Sequence, residues 1–475
     1  MSGLQTEQTN TGPAATPENW QPRVIALVCN WCTYAGADLA GTSRIKYPPN
    51  VRMVRFPCTG RMNPLMIFKA FEYGADGVIV SGCHPGDCHY VQGNLVARRR
   101  FTVLRALLDF IGIDLKRIHF SWVSAAEGRK WAEVVEHATE AAREAGPMQL
   151  FEKPAEAPVV ELPPLPKNER PAPEPKQLGV LREHMRKEAA DLLSSGQVGM
   201  VIGYKASSLE GRSKPVFITK PEEASRLDWG PGCWNNLAAY LPASVKEAGR
   251  VAVLVKKCDV GAVRGLIREN QIKREDVILV GAQCTGAKVD NDFAVKCFEC
   301  DGIAHSLCDL IITAEEVSEG GASETSSEVG AAESIPDDPR DAQISYLESL
   351  PSDTRWQFWQ QQFNRCLRCY ACRAACPLCY CDSCIVEKRR PQWISPAIDN
   401  LNNTAWNITR ALHLAGRCTG CDECARACPA DIRIDLINRK LELEVVRHFG
   451  APALDAEAKS ILIDFRMDDP EDFVL

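Results

Sequence analysis

RVIALVCN, residues 23–30, is an apolar run that ends next to a cysteine. Two later stretches have the same form, VRMVRFPCT (51–59) and DGVIVSGC (76–83), and runs of this length and composition predict buried strands. Helical patterns alternate with these strands near residues 62–74, 93–111 and 126–145, which predicts a small parallel α/β fold. Ligands sit at the carboxyl ends of strands in such sheets. We therefore expect Cys29, Cys58 and Cys83 to converge at one edge, with Cys32 and Cys88 supplied by the loops that follow.

Length and composition indicate a multidomain globular protein. The chain has 475 residues, enough for several domains of about 100–200 residues each. Its formal net charge of −7 gives no general attraction to phosphate backbones or anionic lipids, so we expect neither nucleic acid nor a membrane as a partner. The polar N-terminus does not resemble a signal peptide, and no apolar stretch approaches the roughly 18 residues of a transmembrane helix. These features predict a cytoplasmic protein.

The 22 cysteines require an explanation, because the cytosol keeps thiols reduced and disulfides are rare there. They indicate metal or redox chemistry. They fall into three groups separated by a proline-rich stretch and by an acidic stretch poor in apolar residues, which predict an extended linker and a flexible one. The predicted organisation is a polar extension (1–22), an α/β domain (23–146), a proline-rich linker (147–178), a second α/β domain (179–315), an acidic flexible linker (316–342) and a helical domain (343–475).

The third group contains the same motif twice, Cys-x-x-Cys-x-x-Cys-x-x-x-Cys-Pro. This is the bacterial ferredoxin pattern, in which three cysteines hold one 4Fe–4S cluster and the fourth ligates the other. We assign the ligands of one cluster as Cys366, Cys369, Cys372 and Cys428, and those of the other as Cys418, Cys421, Cys424 and Cys376. Structural zinc sites usually use two separated Cys-x-x-Cys pairs, and disulfides at this spacing would be strained. The nearby Cys379, Cys381 and Cys384 are left either as buried side chains or as ligands of a further site.

Two segments of the chain resemble known electron-transfer families. Residues 360–440 are similar to the two-cluster ferredoxin domain of the heterodisulfide reductase C subunit. The cysteines of CNWC and of PCTGRMNPLMIFKAFEYGADGVIVSGCHPGDCHYVQGN resemble the delta subunit of methyl-viologen-reducing hydrogenase over about residues 23–146. That resemblance implies a 2Fe–2S cluster with four ligands among Cys29, Cys32, Cys58, Cys83 and Cys88. Zinc, or a Rieske-like site that uses His84 or His89, is the alternative.

The middle segment repeats the strand-to-cysteine pattern in GMVIGYK, GRVAVLVKKC and DVILVGAQC. Over about residues 180–312 it is similar to the beta-subunit family of deazaflavin-dependent hydrogenases and formate dehydrogenases. That resemblance implies a further 4Fe–4S cluster, which we assign to Cys258, Cys284, Cys297 and Cys300, with Cys308 as the substitute. FAD binding is left open, because the chain lacks the usual dinucleotide and phosphate-loop motifs. Cys233 is either near a cofactor or simply buried.

These observations predict two small parallel α/β modules followed by a mainly helical two-cluster ferredoxin-like domain. The predicted function is a non-catalytic subunit that relays single electrons. Its expected partners are a hydrogenase or dehydrogenase and a flavin-containing heterodisulfide-reductase-like A subunit, and a role in electron bifurcation is left open. The alternatives are an FAD enzyme that exchanges a hydride with a nicotinamide or deazaflavin coenzyme, and a zinc scaffold. We expect Arg98 to Arg100 to form a solvated helix face, and Trp356 and Trp359 to pack a helix.

Overall fold

The computed structural model describes residues 20–149, 159–167, 173–289, 292–298, 300, 302, 308–319, 338–450 and 459–475. The chain divides into two compact units. Unit one consists of Met1–Ala97, Asp114–Glu152 and Glu471–Leu475, and unit two of Arg98–Ile113 and Lys153–Pro470. Most of the predicted polar extension and of the predicted acidic linker lies outside the described residues, as does part of the proline-rich linker. Their boundaries stay predictions.

Unit one contains a four-stranded parallel sheet in the order β2-β1-β3-β4. Its strands are β1 (Val24–Cys29), β2 (Val51–Phe56), β3 (Gly77–Gly82) and β4 (Ile118–Trp122). The helices that begin in or belong to this part of the chain are α1 (Thr33–Thr42), α2 (Pro64–Glu72), α3 (Gly93–Phe110) and α4 (Gly128–Ala145). The three predicted strands and three predicted helices are confirmed, and the parallel sheet places β1 between β2 and β3.

Helix α4 buries one face against the sheet of unit one. Trp131, Val135 and Ala138 recur at helical spacing and are fully buried in the same apolar cluster as Val24 and Ile79. The end of the chain also belongs to this unit, because the backbone N–H of Leu475 donates to the carbonyl of Phe120 at 2.9 Å. The C-terminal residues thus lie along strand β4.

Unit two contains a six-stranded sheet in the order β12-β11-β8-β7-β5-β6. Its strands are β5 (Met200–Ala206), β6 (Ser213–Ile218), β7 (Val251–Val255), β8 (Val277–Ala282), β11 (Leu310–Ile312) and β12 (Val317–Glu319), with a separate pair β9 (Lys288–Val289) and β10 (Asp292–Phe293). The four inner strands are parallel, and each edge strand is antiparallel to its neighbour. The loops before β6 and β12 are too short for the crossover that a parallel pair needs, so each forms a hairpin.

Helices make up the rest of unit two. They are α5 (Pro175–Ser194), α6 (Leu241–Ala248), α7 (Lys257–Arg268), α8 (Arg340–Ser349), α9 (Ser352–Asn364), α10 (Ala371–Ala375), α11 (Asn400–Leu414), α12 (Glu423–Arg426) and α13 (Ile434–Phe449). The predicted fold class, α/β modules followed by helices, is confirmed, but the second sheet is mixed rather than parallel because both of its edge strands close hairpins. Trp356 and Trp359 are buried in α9, and the ring of Trp359 stacks on Phe363, so their predicted packing role is also confirmed. Among the described helices, none is both long and apolar enough to cross a membrane.

The prediction of a solvated face at Arg98 to Arg100 was wrong. Arg98 is 1% exposed and Arg99 is 3% exposed. Arg98 donates to the carbonyl of Arg466 at 2.7 Å, and Arg99 makes two hydrogen bonds to the buried carboxylate of Asp469, at 2.7 and 2.8 Å. A segment more than 360 residues later in the chain covers these arginines, and no local pattern indicates such a contact.

Gly112 provides a test of the packing in unit two. Its φ is +89°, and a Cβ there would lie 2.1 Å from the carbonyl oxygen of Ser352 and 2.6 Å from the backbone nitrogen of Trp356. We expect Gly112→Ala to lower the free energy of unfolding by about 2–4 kcal/mol, because left-handed strain and overpacking add. The matched control is Gly196→Ala, with a φ of +69° and open space around it, for which strain alone predicts about 1 kcal/mol. Urea denaturation measures both changes, and equal losses would contradict the close contact at Gly112.

Candidate metal centres

Five thiols meet at the carboxyl edge of the sheet in unit one. Cys29 ends β1, Cys58 follows β2 and Cys83 follows β3, and these strands are neighbours in the sheet. Cys88 lies in the loop before α3, and Cys32 is the N-cap residue of α1. Cys29, Cys58, Cys83 and Cys88 form one buried cluster, with the partly exposed Cys32 packed against it. The structure therefore brings together all five predicted thiols.

Four of the five sulfur atoms of this site form two close pairs, and the thiol of Cys32 also hydrogen-bonds to Cys83. Sγ of Cys29 is 3.5 Å from Sγ of Cys83, and Sγ of Cys58 is 3.8 Å from Sγ of Cys88. Two thiolates on one tetrahedral ion, with metal–sulfur bonds of about 2.3 Å, lie about 3.8 Å apart. The thiol of Cys83 hydrogen-bonds to Cys29 and lowers its pKa to about 6, so a thiolate forms readily there. Burial has the opposite effect on Cys58 and raises its pKa to about 11.

Two glycines allow the loops of this site to approach each other closely. A Cβ at Gly93 would lie 2.2 Å from Sγ of Cys58. A Cβ at Gly60 would lie 2.8 Å from the Cα of Gly93. The backbone N–H of Gly60 also donates to Sγ of Cys58 at 3.4 Å, a hydrogen bond of the kind that supports a metal-bound thiolate.

Both histidines beside these cysteines have other partners. Nε2 of His84 lies 2.6 Å from Oε2 of Glu127, and the ring of His89 stacks on Trp31 with centroids 3.9 Å apart. The backbone N–H of Ser124 holds the pKa of Glu127 at about 2, so the partner of His84 is a carboxylate. These contacts favour a supporting role for the histidines over that of ligands.

A second group of thiols lines a small cavity in unit two. Its cysteines are the four predicted ones, Cys258, Cys284, Cys297 and Cys300. The backbone N–H of Ala287 donates to Sγ of Cys297 at 3.3 Å. Gly302, with a φ of +80°, accepts a hydrogen bond from the N–H of Cys284, and a Cβ there would lie 2.0 Å from the carbonyl oxygen of Cys284. The turn around this site thus requires glycine.

Cys233 and Cys308 lie apart from that cavity lining. Both belong to the apolar core of unit two, Cys308 with no exposed surface. The thiol of Cys233 donates to the carbonyl of Asp228 at 3.8 Å. Their burial in the apolar core is typical of a free cysteine that packs as a small apolar side chain.

Two lysines on the wall of the same cavity were missed by the sequence analysis. Lys256 is 1% exposed, and its Nζ bonds to Oδ2 of Asp259 and to the carbonyl of Asn235, both at 2.8 Å. Burial alone would lower the pKa of Lys256, but the charge of Asp259 raises it above the usual value, so the side chain stays cationic. Nζ of Lys296 lies over the ring of Trp234. The site therefore contains fixed positive charge beside its thiols, and a single lysine after a strand carries no recognisable signal.

A third group of thiols lines a small cavity in the helical part of unit two. Its four cysteines are Cys376, Cys418, Cys421 and Cys424, the set that the sequence assigned to one cluster. Nδ2 of Asn438 donates to Sγ of Cys424 at 3.4 Å. Of the remaining motif cysteines, Cys366 and Cys372 are buried in one cluster with Trp406 and Cys424, Cys428 packs against that cluster, and Cys369 is exposed.

The two motifs share a backbone conformation. Arg368 and Tyr370 in the first motif have φ values of 54° and 60°, and Gly420 and Asp422 have 62° and 58° at the equivalent positions. Left-handed residues at these points turn the chain sharply between successive cysteines. The same sharp turn between successive cysteines in both motifs accounts for the two residues that separate those cysteines.

The three additional cysteines have different surroundings. Cys379 is close enough to Cys376 for their thiols to hydrogen-bond, which lowers the pKa of Cys379. Cys384 packs in the apolar cluster around Trp406, and Cys381 is exposed. Within the described ranges, no group of three His, Cys, Asp or Glu side chains is arranged to hold a single metal ion. Cys379, Cys381 and Cys384 thus differ in both burial and neighbours.

Residues 24–146 match the family described as methyl-viologen-reducing hydrogenase, delta subunit. The iron-sulfur D subunit of the F420-non-reducing hydrogenase of Archaeoglobus profundus is 49% identical over 133 residues, which are 97% of that protein and 28% of this chain. The chain belongs to this family. The vhc iron-sulfur D subunit of the F420-non-reducing hydrogenase of Methanococcus voltae is 47% identical over 135 residues, or 94% of its length. The delta-subunit segment also matches the A subunit of the ferredoxin:CoB-CoM heterodisulfide reductase of Methanosarcina mazei, with 45% identity over 136 residues, or 17% of that protein.

The delta-subunit segment contains the five thiols of unit one. The two thiol-lined cavities of unit two lie outside this segment. These two are joined within unit two by Glu269, which follows α7. Its carboxylate accepts two hydrogen bonds of 2.6 Å from Arg417, the residue before Cys418. The hydroxyl of Tyr380 donates to the same carboxylate at 2.5 Å. Burial alone would raise the pKa of Glu269, but the hydrogen bond and charge of Arg417 lower it below the usual range.

Glu269→Gln tests this connection. We expect a loss of about 3 kcal/mol at neutral pH, because the buried Arg417 loses its counter-charge. Since the folded-state pKa of Glu269 is lowered, its contribution is present above the unfolded pKa and disappears as the pH falls through the folded pKa. Denaturation of both proteins at neutral and acid pH measures the difference.

The matched control is Glu275→Gln, because Glu275 is 72% exposed and 3.9 Å from Lys273. An exposed pair predicts a loss below about 0.5 kcal/mol. Similar losses in the two variants, or a difference that does not change with pH, would contradict the proposed anchoring role of Glu269.

Proposed function

We propose that this chain is a non-catalytic iron–sulfur subunit that relays single electrons between a hydrogenase or dehydrogenase and a flavin-containing, heterodisulfide-reductase-like partner complex. The observation that carries the proposal is the gathering of thiols at separate buried sites, in a chain that belongs to a hydrogenase delta-subunit family. Iron–sulfur clusters held by thiolates supply one-electron chemistry when bound. The named relatives support the partner classes, since they are subunits of hydrogenase and heterodisulfide reductase complexes. A role in electron bifurcation and a cytoplasmic location belong to the same proposal.

For unit one, we propose a 2Fe–2S site held by Cys29, Cys58, Cys83 and Cys88. The two close sulfur pairs support this assignment, because each pair has the spacing of two ligands on one iron. Cys32 is the fifth thiol, partly exposed beside the buried four.

For unit two, we propose three 4Fe–4S sites. The cavity with Cys258, Cys284, Cys297 and Cys300 is one. The cavity with Cys376, Cys418, Cys421 and Cys424 is the second, and the thiols of Cys366, Cys369, Cys372 and Cys428 form the third. Hydrogen bonds from backbone and amide N–H groups to the sulfurs of Cys297 and Cys424 support cluster ligation, and a cavity with four thiols on its wall suits a polynuclear cluster better than one zinc ion.

The relay also requires contact between successive sites, and unit two provides one. Nζ of Lys296, on the wall of the first cavity, donates to the carbonyl of Cys421, on the wall of the second, at 3.0 Å. A Cβ at Gly261 in α7 would lie 3.3 Å from the Cβ of Thr419. Such contacts keep the two sites at a constant separation, which is what a relay needs from the protein.

Metal analysis of the full chain, purified without oxygen, tests the proposal. We expect about 14 irons per chain, from one 2Fe–2S and three 4Fe–4S clusters. Dithionite reduction should give electron paramagnetic resonance signals of reduced clusters. Zinc in place of iron, or iron without a reducible signal, would overturn the proposal. A yellow flavin released on denaturation, together with coenzyme-dependent dye reduction, would instead favour the FAD enzyme, which remains a prediction.

Two cysteine-to-serine variants test the ligand assignment in unit one. We expect Cys58→Ser to lose about two irons and the 2Fe–2S signal, because one iron loses half of its protein ligands. Cys32→Ser makes the same chemical change at the fifth thiol and should keep both. Iron content and electron paramagnetic resonance spectra measure the outcome, and loss of the signal from Cys32→Ser alone would reverse the assignment.

A further inference from the structure

Arg410 is a buried cation beside the thiols of the helical part of unit two. It lies on α11 and is 3% exposed. It lines the cavity that contains Cys376 and Cys424, and its Nη2 donates to the carbonyl of Cys372, in the first motif, at 3.1 Å. Its side chain thus contacts the first ferredoxin motif and faces the cavity formed mainly by the second.

Most of the donor capacity of Arg410 is unused. Nε and Nη1 are buried, and neither has a hydrogen-bond partner among the described residues. A guanidinium group has five N–H donors and no acceptor, so its burial without partners is costly. The unused donors indicate that the site is completed by a negatively charged group.

The carboxylates on the cavity wall already have other partners. Asp422 bonds to Arg340, Glu442 is 3.1 Å from Arg439, and Asp435 is 2.9 Å from Arg433. The groups whose charge acts most strongly on Arg410 are Cys424, Cys376, Cys372 and Cys379. The counter-charge available to this guanidinium is therefore that of the thiolates and of what they bind.

We propose that Arg410 is a positioning residue that raises the reduction potentials of the two C-terminal cluster sites, an inference that rests on the proposed iron–sulfur function. Each cluster gains one electron on reduction, no bond breaks, and its charge becomes more negative by one. A buried guanidinium favours that reduced form, because charge interactions are strong where water is excluded. Hydrogen bonds to cluster or thiolate sulfur act in the same direction.

Potentiometric titration of the full chain tests this role. Dithionite supplies the electrons, and electron paramagnetic resonance follows each reduced cluster. We expect Arg410→Gln to make the reduction potentials of both C-terminal clusters more negative by at least about 59 mV. For a one-electron couple this is a tenfold change in the reduced-to-oxidised ratio. Arg410→Lys keeps the charge but loses the planar donor fork, so a smaller shift in the same direction is expected.

The matched control is Arg99→Gln, which also removes a buried guanidinium, but one already paired with Asp469. It should leave both potentials unchanged. Full iron content with unchanged potentials in Arg410→Gln would overturn the proposal, as would loss of the clusters in both Arg410 variants, which would make the residue structural. Wild-type protein without iron would instead refute the proposed function, so the two failures are distinguishable.

Discussion

Thiols from separate loops must face a common point, and this constraint governs the local structure around each site. In unit one the parallel sheet satisfies it, because neighbouring strands deliver Cys29, Cys58 and Cys83 to the same edge. In the helical part of unit two, sharp turns with left-handed residues such as Tyr370 and Asp422 do so. Two different backbone solutions thus produce the same result, a set of thiols gathered at one place.

Burying several thiolates together also requires compensation for their charge. Unit two contains the cations for this: Lys256 and Lys296 on one cavity wall, and Arg410 on the other. Lys256 stays cationic because Asp259 offsets its burial, so part of its charge is already balanced. Arg410 forms no ion pair with a carboxylate among the described residues, and the charges that act most strongly on it are those of nearby cysteines. The two cavities therefore differ in how their buried cations are balanced.

The sequence predicts those parts of the fold in which one residue type recurs locally. Apolar runs predicted the strands that lead to Cys29 and Cys83, and cysteine spacing predicted the thiols of the helical cavity. The thiols of the other cavity were predicted from a family resemblance. Strand β4 was missed because His119 and Ser121 interrupt its apolar pattern, although both are buried. The burial of Arg99 depends on a carboxylate 370 residues away. The role of a single cation such as Arg410 cannot be predicted from a sequence pattern, because it depends on the thiols that folding places beside it.

Contacts within unit two also connect its two thiol-lined cavities. Independent sites need only their own ligands, whereas here Lys296 of one cavity bonds to the backbone of Cys421 in the next. Glu269, at the end of the helix that begins beside Cys258, is bonded to Arg417, which directly precedes Cys418. Moving one cavity relative to the other would break the buried ion pair of Glu269 and Arg417, which would destabilise the fold. The energy that stabilises the fold of unit two is therefore also what holds its two thiol-lined cavities at a fixed distance.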